Sequence, residues 1–343
     1  MIHFGIDHVG FDNKLRCGTV NFFDGWVANS ETNNPIKSVC FFVDDTQIGN
    51  IPIKVERPDL KKSFNESLLG FYGICDIPEA CLNKTLMLYA LAEDGSSYFM
   101  QSYELMNTLS QEEKDFRINH ALPDDILMHL VVHLVDPKSF LEEGRAGVEM
   151  IRSILTQNGV DFLSMKHVLD FGVGCGRVFR WWREKSDTIK FWGCDINPTL
   201  VNWCIHNLSF GNYSVNTLKP PTIYNSLQFD LIYLFSVFTH LTIETQKEWL
   251  KEFSRILLPG GLVLISVHGD LHAQRLPEYS KENYDRNGYC VLTENAEGEN
   301  LCASYQGREF CETLFSEDFE ILEYYPGALK TCGYQDLYCL RKK

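Results

Sequence analysis

The chain has 343 residues, more than one typical domain, so two domains are expected. Hydrophobic residues make up 45% and charged residues 22%, which is ordinary for a soluble globular protein with a sizeable core. The formal net charge of −15 at pH 7 argues against a nucleic-acid partner, because a phosphate backbone calls for a basic face.

The N-terminal sequence and the cysteines indicate the compartment. Residues 1–7 lack a basic region followed by an apolar core, and no run approaches the ~18 apolar residues of a membrane span. None of the twelve cysteines forms a C-x-x-C pair, and several lie within apolar segments, so we expect free thiols rather than disulfides or a metal site. These features predict a cytoplasmic protein without a membrane span.

Residues 1–104 read as short β-branched and aromatic runs separated by turns. Asp24-Gly25 is predicted as one of these turns. Examples of the predicted strands are 18–23, 39–43, 69–75 and 85–91. Their regular spacing, without helices between them, predicts a small all-β sandwich domain.

Four segments of this region carry a resemblance. They are Ile6-Asp7, Gly25–Ala28, Glu56–Leu60 and Gly70-Phe71. Together they resemble small sandwich domains found beside bacterial glycosyltransferases. The resemblance implies an accessory domain, to which we assign no chemistry.

Residues 105–165 are predicted as a connector and a helical cap. Asp124-Asp125 is suited to cap a helix that runs from Ile126 to Val135. Apolar residues at spacings of three and four predict a second helix from Gly144 to Gln157.

The segment Val168–Arg177 combines an apolar run, an acid and three glycines at alternate positions. A helical pattern follows from Val178. This order predicts a strand, a tight turn that adopts positive φ, and a helix N-terminus. Because the backbone of such a turn can be approached closely and offers unpaired N–H groups, a nucleotide-like ligand is expected.

From residue 166 to 343, strands and helices alternate, which predicts a parallel sheet covered on both faces, an α/β fold of Rossmann-like type. Asn197-Pro198 and Thr242 are predicted to begin helices, and Pro259–Gly261 to end the second of them after Leu258. The further predicted strands are 189–193, 213–216, 229–235, 262–267, 319–324 and 335–340.

Four segments in order resemble motifs of the class I S-adenosylmethionine (SAM) methyltransferases: Asp170–Arg177, Asp195–Pro198, Phe229–Leu241 and Leu257–Gly261. The dinucleotide fingerprint G-x-G-x-x-G fits less well, because the third glycine comes one residue early. The resemblance covers residues from about 125 to 343. It implies a seven-stranded methyltransferase sheet and SAM as cofactor.

Ligands of open α/β sheets bind beyond the carboxyl ends of the strands. By the resemblance, Gly172 and Gly174 line the methionine part of SAM, Asp195 holds the ribose, Ile196 packs on the adenine and Asn216 lies near the adenine edge. A carboxylate is also the acceptor pair that two ribose hydroxyls need. The candidate cofactor-binding residues are Asp170, Gly172, Val173, Gly174, Cys175, Gly176, Arg177, Asp195, Ile196, Asn216, Phe235 and Ser236.

The sequence departs from the family pattern at two positions. Val173 stands where many relatives have a small residue or cysteine, and Asn216-Thr217 stands where the wider family commonly has an adenine-side acid. The second departure concerns the adenine contact and leaves the predicted fold unchanged.

Two histidines are candidate catalytic bases. His240 follows the strand 229–235 and His268 follows the strand 262–267, so both are expected at the edge of the sheet where ligands bind. A histidine can take the proton of a hydroxyl acceptor near neutral pH. No carboxylate–histidine cluster at ligand spacing is visible, so no catalytic metal is predicted.

The favoured function is methylation of an oxygen on a sugar or glycan precursor, because Gln335–Tyr338 resembles the ending of methyltransferases in bacterial surface-glycan gene clusters. A nicotinamide-dependent oxidoreductase and a catalytically inactive SAM-binding scaffold are the alternatives. The acceptor, small molecule or glycan, is expected to be chosen by the loops 128–133 and 268–307. The oligomeric state is not predicted.

Overall fold

A computed structural model gives the structure of the chain and describes residues 1–9, 15–30, 34–57, 60–64, 68–132 and 136–343. Pro58 and Asp59 of the N-terminal resemblance, and His133 to Val135 of the predicted helix and acceptor loop, lie outside these residues. In the described part of the chain, no helix combines the length and the apolar composition that crossing a lipid bilayer requires.

The strands are β1 Ile2–Val9, β2 Thr19–Asn29, β3 Ile36–Val43, β4 Thr46–Glu56, β5 Leu68–Ile77, β6 Thr85–Ala92, β7 Ser97–Glu104, β8 His167–Phe171, β9 Lys190–Asp195, β10 Asn212–Val215, β11 Phe229–Leu234, β12 Leu257–Val267, β13 Tyr289–Leu292, β14 Ala303–Gln306, β15 Phe319–Leu329 and β16 Gln335–Lys342. The α-helices are α1 Lys61–Phe64, α2 Gln111–Asn119, α3 Asp125–Val131, α4 Pro137–Gln157, α5 Pro198–Asn207, α6 Ile243–Ile256, α7 Asp270–Ala273, α8 Glu278–Asn287 and α9 Arg308–Phe315.

The described residues divide into two compact units. The first is Met1–His129, and the second comprises Leu130–Val132 and Asp136–Lys343. The division falls within α3, so the connector predicted at residues 105–165 is shared between the two units.

The first unit is built on an antiparallel sheet with the strand order β1-β2-β5-β4-β3-β6-β7. Phe23 of β2 and Phe41 of β3 are both fully buried, with ring centroids 4.6 Å apart, although β5 and β4 separate their strands in the sheet. The sheet therefore folds over so that its inner faces share one core. The more specific assignment, a glycosyltransferase-associated sandwich, stays a prediction.

The turn predicted at Asp24-Gly25 is wrong, because both residues lie inside β2. A side chain at Gly25 would overlap the carbonyl oxygen of Gly5 on the neighbouring strand and come within 2.9 Å of the Phe71 ring. The glycine therefore allows close packing within a strand rather than a change of direction.

The second unit is an open Rossmann-like α/β sheet with the order β10-β9-β8-β11-β12-β16-β15. The strands β10, β9, β8, β11 and β12 are parallel, and β16 lies antiparallel between β12 and β15. In β8, Leu169 and Val168 belong to hydrophobic clusters on opposite faces, as expected for a sheet covered on both sides. The predicted α/β sheet is thus confirmed, whereas the alternation is incomplete, because no helix lies between β10 and β11 in the described residues. The carboxyl ends of the parallel strands form one edge.

Several helix boundaries differ from the prediction. The helix predicted from Gly144 begins at Pro137, because the Asp136 carboxylate caps it by accepting the Ser139 N–H at 2.8 Å. The helix predicted to reach Leu258 ends at Ile256, and β12 starts at the next residue.

Candidate cofactor and acceptor site

The glycine turn after β8 has the backbone that its sequence predicts. Gly172, Gly174 and Gly176 have φ values of 82°, 56° and 73°, a region that favours glycine. The N–H groups of Gly172 and Val173 donate to the carbonyl of Cys194 at 2.8 and 2.9 Å, which ties the turn to β9. A side chain at Gly172 would overlap Val237, and a Cβ at Gly174 would lie 2.7 Å from Val131 Cγ2. The turn therefore has no room for larger residues.

The helix that follows this turn is a short one. Residues Phe179–Lys185 form a 3₁₀ helix at the place where the sequence predicts a helix to begin. The side chains of Phe179 and Trp182 are fully buried, and the Trp182 ring stacks on Phe191 at 5.5 Å. This aromatic packing holds the short helix against the sheet. A ligand at the turn would therefore contact the backbone of its glycines.

Asp195, at the end of β9, connects this strand end to the glycine turn that follows β8. Its Oδ2 accepts the Gly174 N–H at 2.8 Å and its Oδ1 accepts the Asn197 N–H at 2.8 Å. Desolvation raises the pKa of this carboxyl, and the backbone N–H groups oppose the rise. A carboxylate can accept four hydrogen bonds, so it has the capacity to accept two ribose hydroxyls as well.

Asp170, one residue before the end of β8, is buried beneath the turn. The Tyr233 hydroxyl donates to its Oδ2 at 2.8 Å, and the Trp182 indole N–H donates to the Tyr233 oxygen at 3.0 Å. Burial raises the pKa of the Asp170 carboxyl to about 7, although the Tyr233 bond lowers it. Asp170 thus supports the turn from inside the protein.

The side chains of three other predicted residues of the turn also point into the protein. Val173 and Cys175 are buried, at 3% and 0% exposure. The buried Arg177 guanidinium donates to Glu143 Oε2 at 3.0 Å and to Cys332 Sγ at 3.3 Å. These three residues are placed to contribute backbone groups, not side chains, to a ligand.

The residues predicted near the adenine lie at the ends of β9 and β10. Ile196 is 40% exposed, and the Asn216 N–H donates to the Asp195 carbonyl at 3.1 Å. The Asn216 amide N–H donates to the Thr217 carbonyl at 2.9 Å, whereas its Oδ1 is buried with no hydrogen-bond partner. A buried acceptor without a donor is the group that the exocyclic amine of adenine would satisfy, so this end of the site fits the cofactor.

Ser236 lies just beyond β11 and has φ 61°, unusual for a residue with a side chain. Its N–H donates to Ser266 Oγ at 2.7 Å, and its Oγ accepts the Gln335 amide at 2.8 Å. The neighbouring Phe235 is half-buried beside α4, where a Cβ at Gly147 would lie 3.7 Å from its ring.

The structure holds both predicted bases by hydrogen bonds. His240 Nδ1 lies 2.8 Å from the carbonyl oxygen of Cys302, so Nδ1 carries the proton in the neutral ring and the lone pair is on Nε2. His268 Nε2 lies 3.4 Å from the Gln335 amide nitrogen, and its ring stacks on His272 at 4.8 Å. Among the described residues, no group of three or more His, Cys, Asp or Glu side chains is arranged to hold a metal ion.

Two contributors were not found from sequence: Ser266 and Gln335, which contact Ser236. The segment 297–302, defined here as the strap, lies within the loop 268–307, which the sequence predicts to choose the acceptor. The Gly298 N–H donates to the His240 carbonyl at 2.9 Å, and Glu297 Oε1 accepts the Thr242 N–H at 2.7 Å. No local sequence pattern indicates these contacts, because each of them joins segments that are far apart in the sequence.

Residues 169–263 match the family model described as a methyltransferase domain. The matched segment begins in β8 and ends in β12, so it contains the glycine turn, Asp195, Asn216, Ser236 and His240. It is a little over a quarter of the chain.

Solved structures show similarity at low identity. An S-adenosylmethionine-dependent methyltransferase from Clostridium acetobutylicum is 15% identical, with 66% of this chain and 98% of that chain covered and a TM-score of 0.44. The 1,6-didemethyltoxoflavin-N1-methyltransferase of Burkholderia thailandensis is 12% identical, with 75% and 96% covered and a TM-score of 0.45. The N-methyltransferase NodS of Bradyrhizobium japonicum, in complex with S-adenosylhomocysteine, is 15% identical, with 67% and 97% covered and a TM-score of 0.39.

The family match and the geometry of the turn agree on the kind of enzyme. The protein is an enzyme with a methyltransferase domain.

Proposed function

We propose that the protein transfers the methyl group of SAM to a hydroxyl oxygen of a sugar or glycan precursor, with His240 as the base. The observation that carries the proposal is the 2.8 Å contact between His240 Nδ1 and the Cys302 carbonyl. It assigns the lone pair of the neutral imidazole to Nε2, the atom that would take the proton of a hydroxyl.

SAM supplies a methyl group on a positively charged sulfur. As the acceptor oxygen forms its bond to the methyl carbon, the carbon–sulfur bond breaks, leaving S-adenosylhomocysteine (SAH), and the hydroxyl proton passes to His240. The Cys302 carbonyl supports the imidazolium that forms, because it accepts the Nδ1 proton throughout. The remaining contribution of the protein is to align the two reactants and exclude water.

The cofactor roles follow from the contacts of the residues involved. Asp195 holds the ribose hydroxyls with its remaining acceptor capacity, and Asn216 Oδ1 accepts from the adenine amine. The backbone at Gly172 and Gly174 borders the methionine part, and Ile196 packs on the adenine ring. Each role is consistent with the exposed or unsatisfied atoms at these positions.

The acceptor class is supported by the resemblances at Gln335–Tyr338 and in residues 1–104. A reducing, cytoplasmic location is part of the proposal, and it is supported by the twelve cysteines, none of which forms a disulfide in the described part of the chain.

Calorimetric titration with SAM, SAH and NAD tests the cofactor part, on the wild type and on Asp195→Ala. We expect SAM and SAH to bind the wild type, NAD not to bind, and the variant to bind SAH at least about tenfold more weakly, because buried hydrogen bonds to a charged group are each worth roughly 1.5–3 kcal/mol. Binding of NAD alone would favour the oxidoreductase, and no binding at all would refute the assignment of the cofactor.

A screen of nucleotide sugars and glycans for SAH release tests the acceptor. His240→Ala is expected to lower kcat by about 10²–10⁴ with SAM saturating, the usual contribution of a general base. His206→Ala is the matched control, because His206 is an exposed histidine of α5 whose Nδ1 also meets a backbone carbonyl, that of Asn202 at 2.8 Å. Normal turnover in His240→Ala would refute the assignment of the base.

A further inference from the structure

Gln335, the first residue of β16, is the centre of a buried polar network on the acceptor side. It is 2% exposed. Its amide oxygen accepts the Ser266 hydroxyl at 2.7 Å, and its amide nitrogen lies 2.8 Å from Ser236 Oγ and 3.4 Å from His268 Nε2. One side chain thus connects residues that follow or end three neighbouring strands, β11, β12 and β16.

The orientation of the Gln335 amide follows from the protons around it. The backbone N–H of Ser236 donates to Ser266 Oγ at 2.7 Å, so Ser266 accepts on that side and its own proton points to Gln335 Oε1. The two protons of the Gln335 nitrogen then face Ser236 Oγ and His268 Nε2. With the amide reversed, His268 would have to donate from Nε2, so the tautomer of His268 reports which orientation is present.

The ring of His268 packs against two other rings and meets Gln335 at its edge. It stacks on His272 with centroids 4.8 Å apart and lies 5.2 Å from the Tyr305 ring. The carbonyl of His268 accepts the Gln306 N–H at 2.9 Å. The ring plane is therefore set by packing, and Gln335 decides which nitrogen bears the proton.

We propose that Gln335 is a positioning residue of the acceptor site, which holds Ser236 in its left-handed conformation and keeps His268 as a neutral ring protonated at Nδ1. In this arrangement the His268 Nε2 lone pair accepts an amide proton and is not available to an acceptor hydroxyl. The inference rests on the proposed function and deepens it. His240 receives the proton, whereas His268 is a neutral ring of fixed orientation that takes no proton from the acceptor.

Long-range ¹H–¹⁵N correlation spectra of the full chain, labelled with ¹⁵N-histidine, test this without knowledge of the acceptor. His268→Asn identifies the His268 signals by their loss. We expect wild-type His268 to show a protonated Nδ1 and an unprotonated Nε2. In Gln335→Glu the carboxylate offers an acceptor to Nε2, so the Nε2 signal should move into the protonated range.

Gln335→Met removes both amide donors, so His268 should become a mixture of the two tautomers. This variant still tests the proposal if Gln335→Glu does not fold. The control is Gln306→Glu, a buried glutamine whose side chain bonds Gln246 and not His268, and it should leave the tautomer unchanged. A wild-type Nε2–H tautomer, or unchanged His268 signals in both Gln335 variants, would overturn the proposal.

Titration of the same samples with SAH separates this proposal from the proposed function. The kcat of Gln335→Met with an identified acceptor should fall by up to about 100-fold through misplacement of Ser236 and His268. If the wild type fails to bind SAH, the proposed function fails, whereas the tautomer result stands or falls independently.

Discussion

Asp170 shows how a single buried acid links the stability of the second unit to pH. Its carboxyl lies under the glycine turn, where it accepts a hydrogen bond from the Tyr233 hydroxyl, whose oxygen in turn accepts one from the Trp182 indole. Burial raises its pKa to about 7, far above the ~3.9 of an exposed aspartate. The folded protein therefore favours the protonated form over a pH range in which the unfolded chain is ionised.

Asp170→Asn should remove this pH dependence. Because the folded-state pKa is raised, the stability that Asp170 contributes is fully present below pH ~4 and is lost as pH rises through about 7. Between pH 5 and pH 7.5 the wild type should lose up to about 2 kcal/mol more unfolding free energy than the variant, since each pKa unit corresponds to ~1.4 kcal/mol. Urea unfolding at both pH values measures the difference, and parallel pH profiles of the two proteins would contradict it.

The sequence correctly predicted that Asp170, Asp195 and Asn216 lie at one edge of the sheet. The prediction was possible because the carboxyl ends of parallel strands share one edge, and the order of predicted strands and helices locates those ends. It did not predict the partners of these residues. Gln335 and the Cys302 carbonyl meet Ser236 and His240 only through contacts across more than 60 positions of sequence, and periodicity carries no information about such contacts.

At the scale of elements, α4 packs on the segment after the glycine turn with little space between them. A side chain at Gly144 would overlap the carbonyl of Arg177 and come within 3.0 Å of the Trp181 indole. Gly147, one turn further along α4, is less crowded, with Val178 Cγ2 at 3.2 Å from a built Cβ. The close approach places the Arg177 carbonyl and the Glu143–Arg177 ion pair side by side.

Gly144→Ala should destabilise the protein, although alanine is the better helix former by roughly 1 kcal/mol. The overlap with a backbone carbonyl should cost about 1–3 kcal/mol and weaken SAH binding, because α4 or the turn must shift. Gly147→Ala is the matched control in the same helix, and a flexible side chain there can move aside. Thermal unfolding and SAH titration of both variants test the difference, and a stabilised Gly144→Ala would refute it.

The strands of the second unit were predictable because most are buried on both faces and read as apolar runs. In the first unit, the strands named from the sequence do not include β1, β4 and β7. The strands β1 and β7 are the two edge strands of their sheet, and β4 is largely exposed or half-buried along its length. Strands of this kind have a weak hydrophobic pattern, because polar residues are tolerated at their exposed positions.

At the scale of the whole molecule, the order β10-β9-β8-β11-β12-β16-β15 brings the carboxyl ends of five parallel strands to one edge, and the candidate cofactor-binding residues lie at four of those ends. The two units each have a hydrophobic core of their own. Fold class was therefore accessible from sequence, whereas the division of the chain inside α3 was not, because the helix pattern continues across it.

Binding of SAH should slow hydrogen exchange at this edge. At 100 times its Kd, a ligand that binds only the folded state stabilises it by about 2.7 kcal/mol. We expect the increase in protection at the glycine turn, the end of β9 and the strap, measured by mass spectrometry. Asp195→Ala at the same SAH concentration is the control, and equal protection with and without SAH in the wild type would contradict the proposed site.

The two oxygens of Asp195 have a consequence for the way its variants are interpreted. Because they also accept the N–H groups of Gly174 and Asn197, removal of the carboxylate both deletes a ligand contact and releases the turn from β9. The binding free energy lost in Asp195→Ala therefore has two parts. One is the lost ribose contact, and the other is the free energy needed to order the released turn when the ligand binds. Methionine, which lacks ribose, isolates that cost: its weaker binding to the variant measures the reordering alone, and the further loss seen with SAH measures the ribose contact.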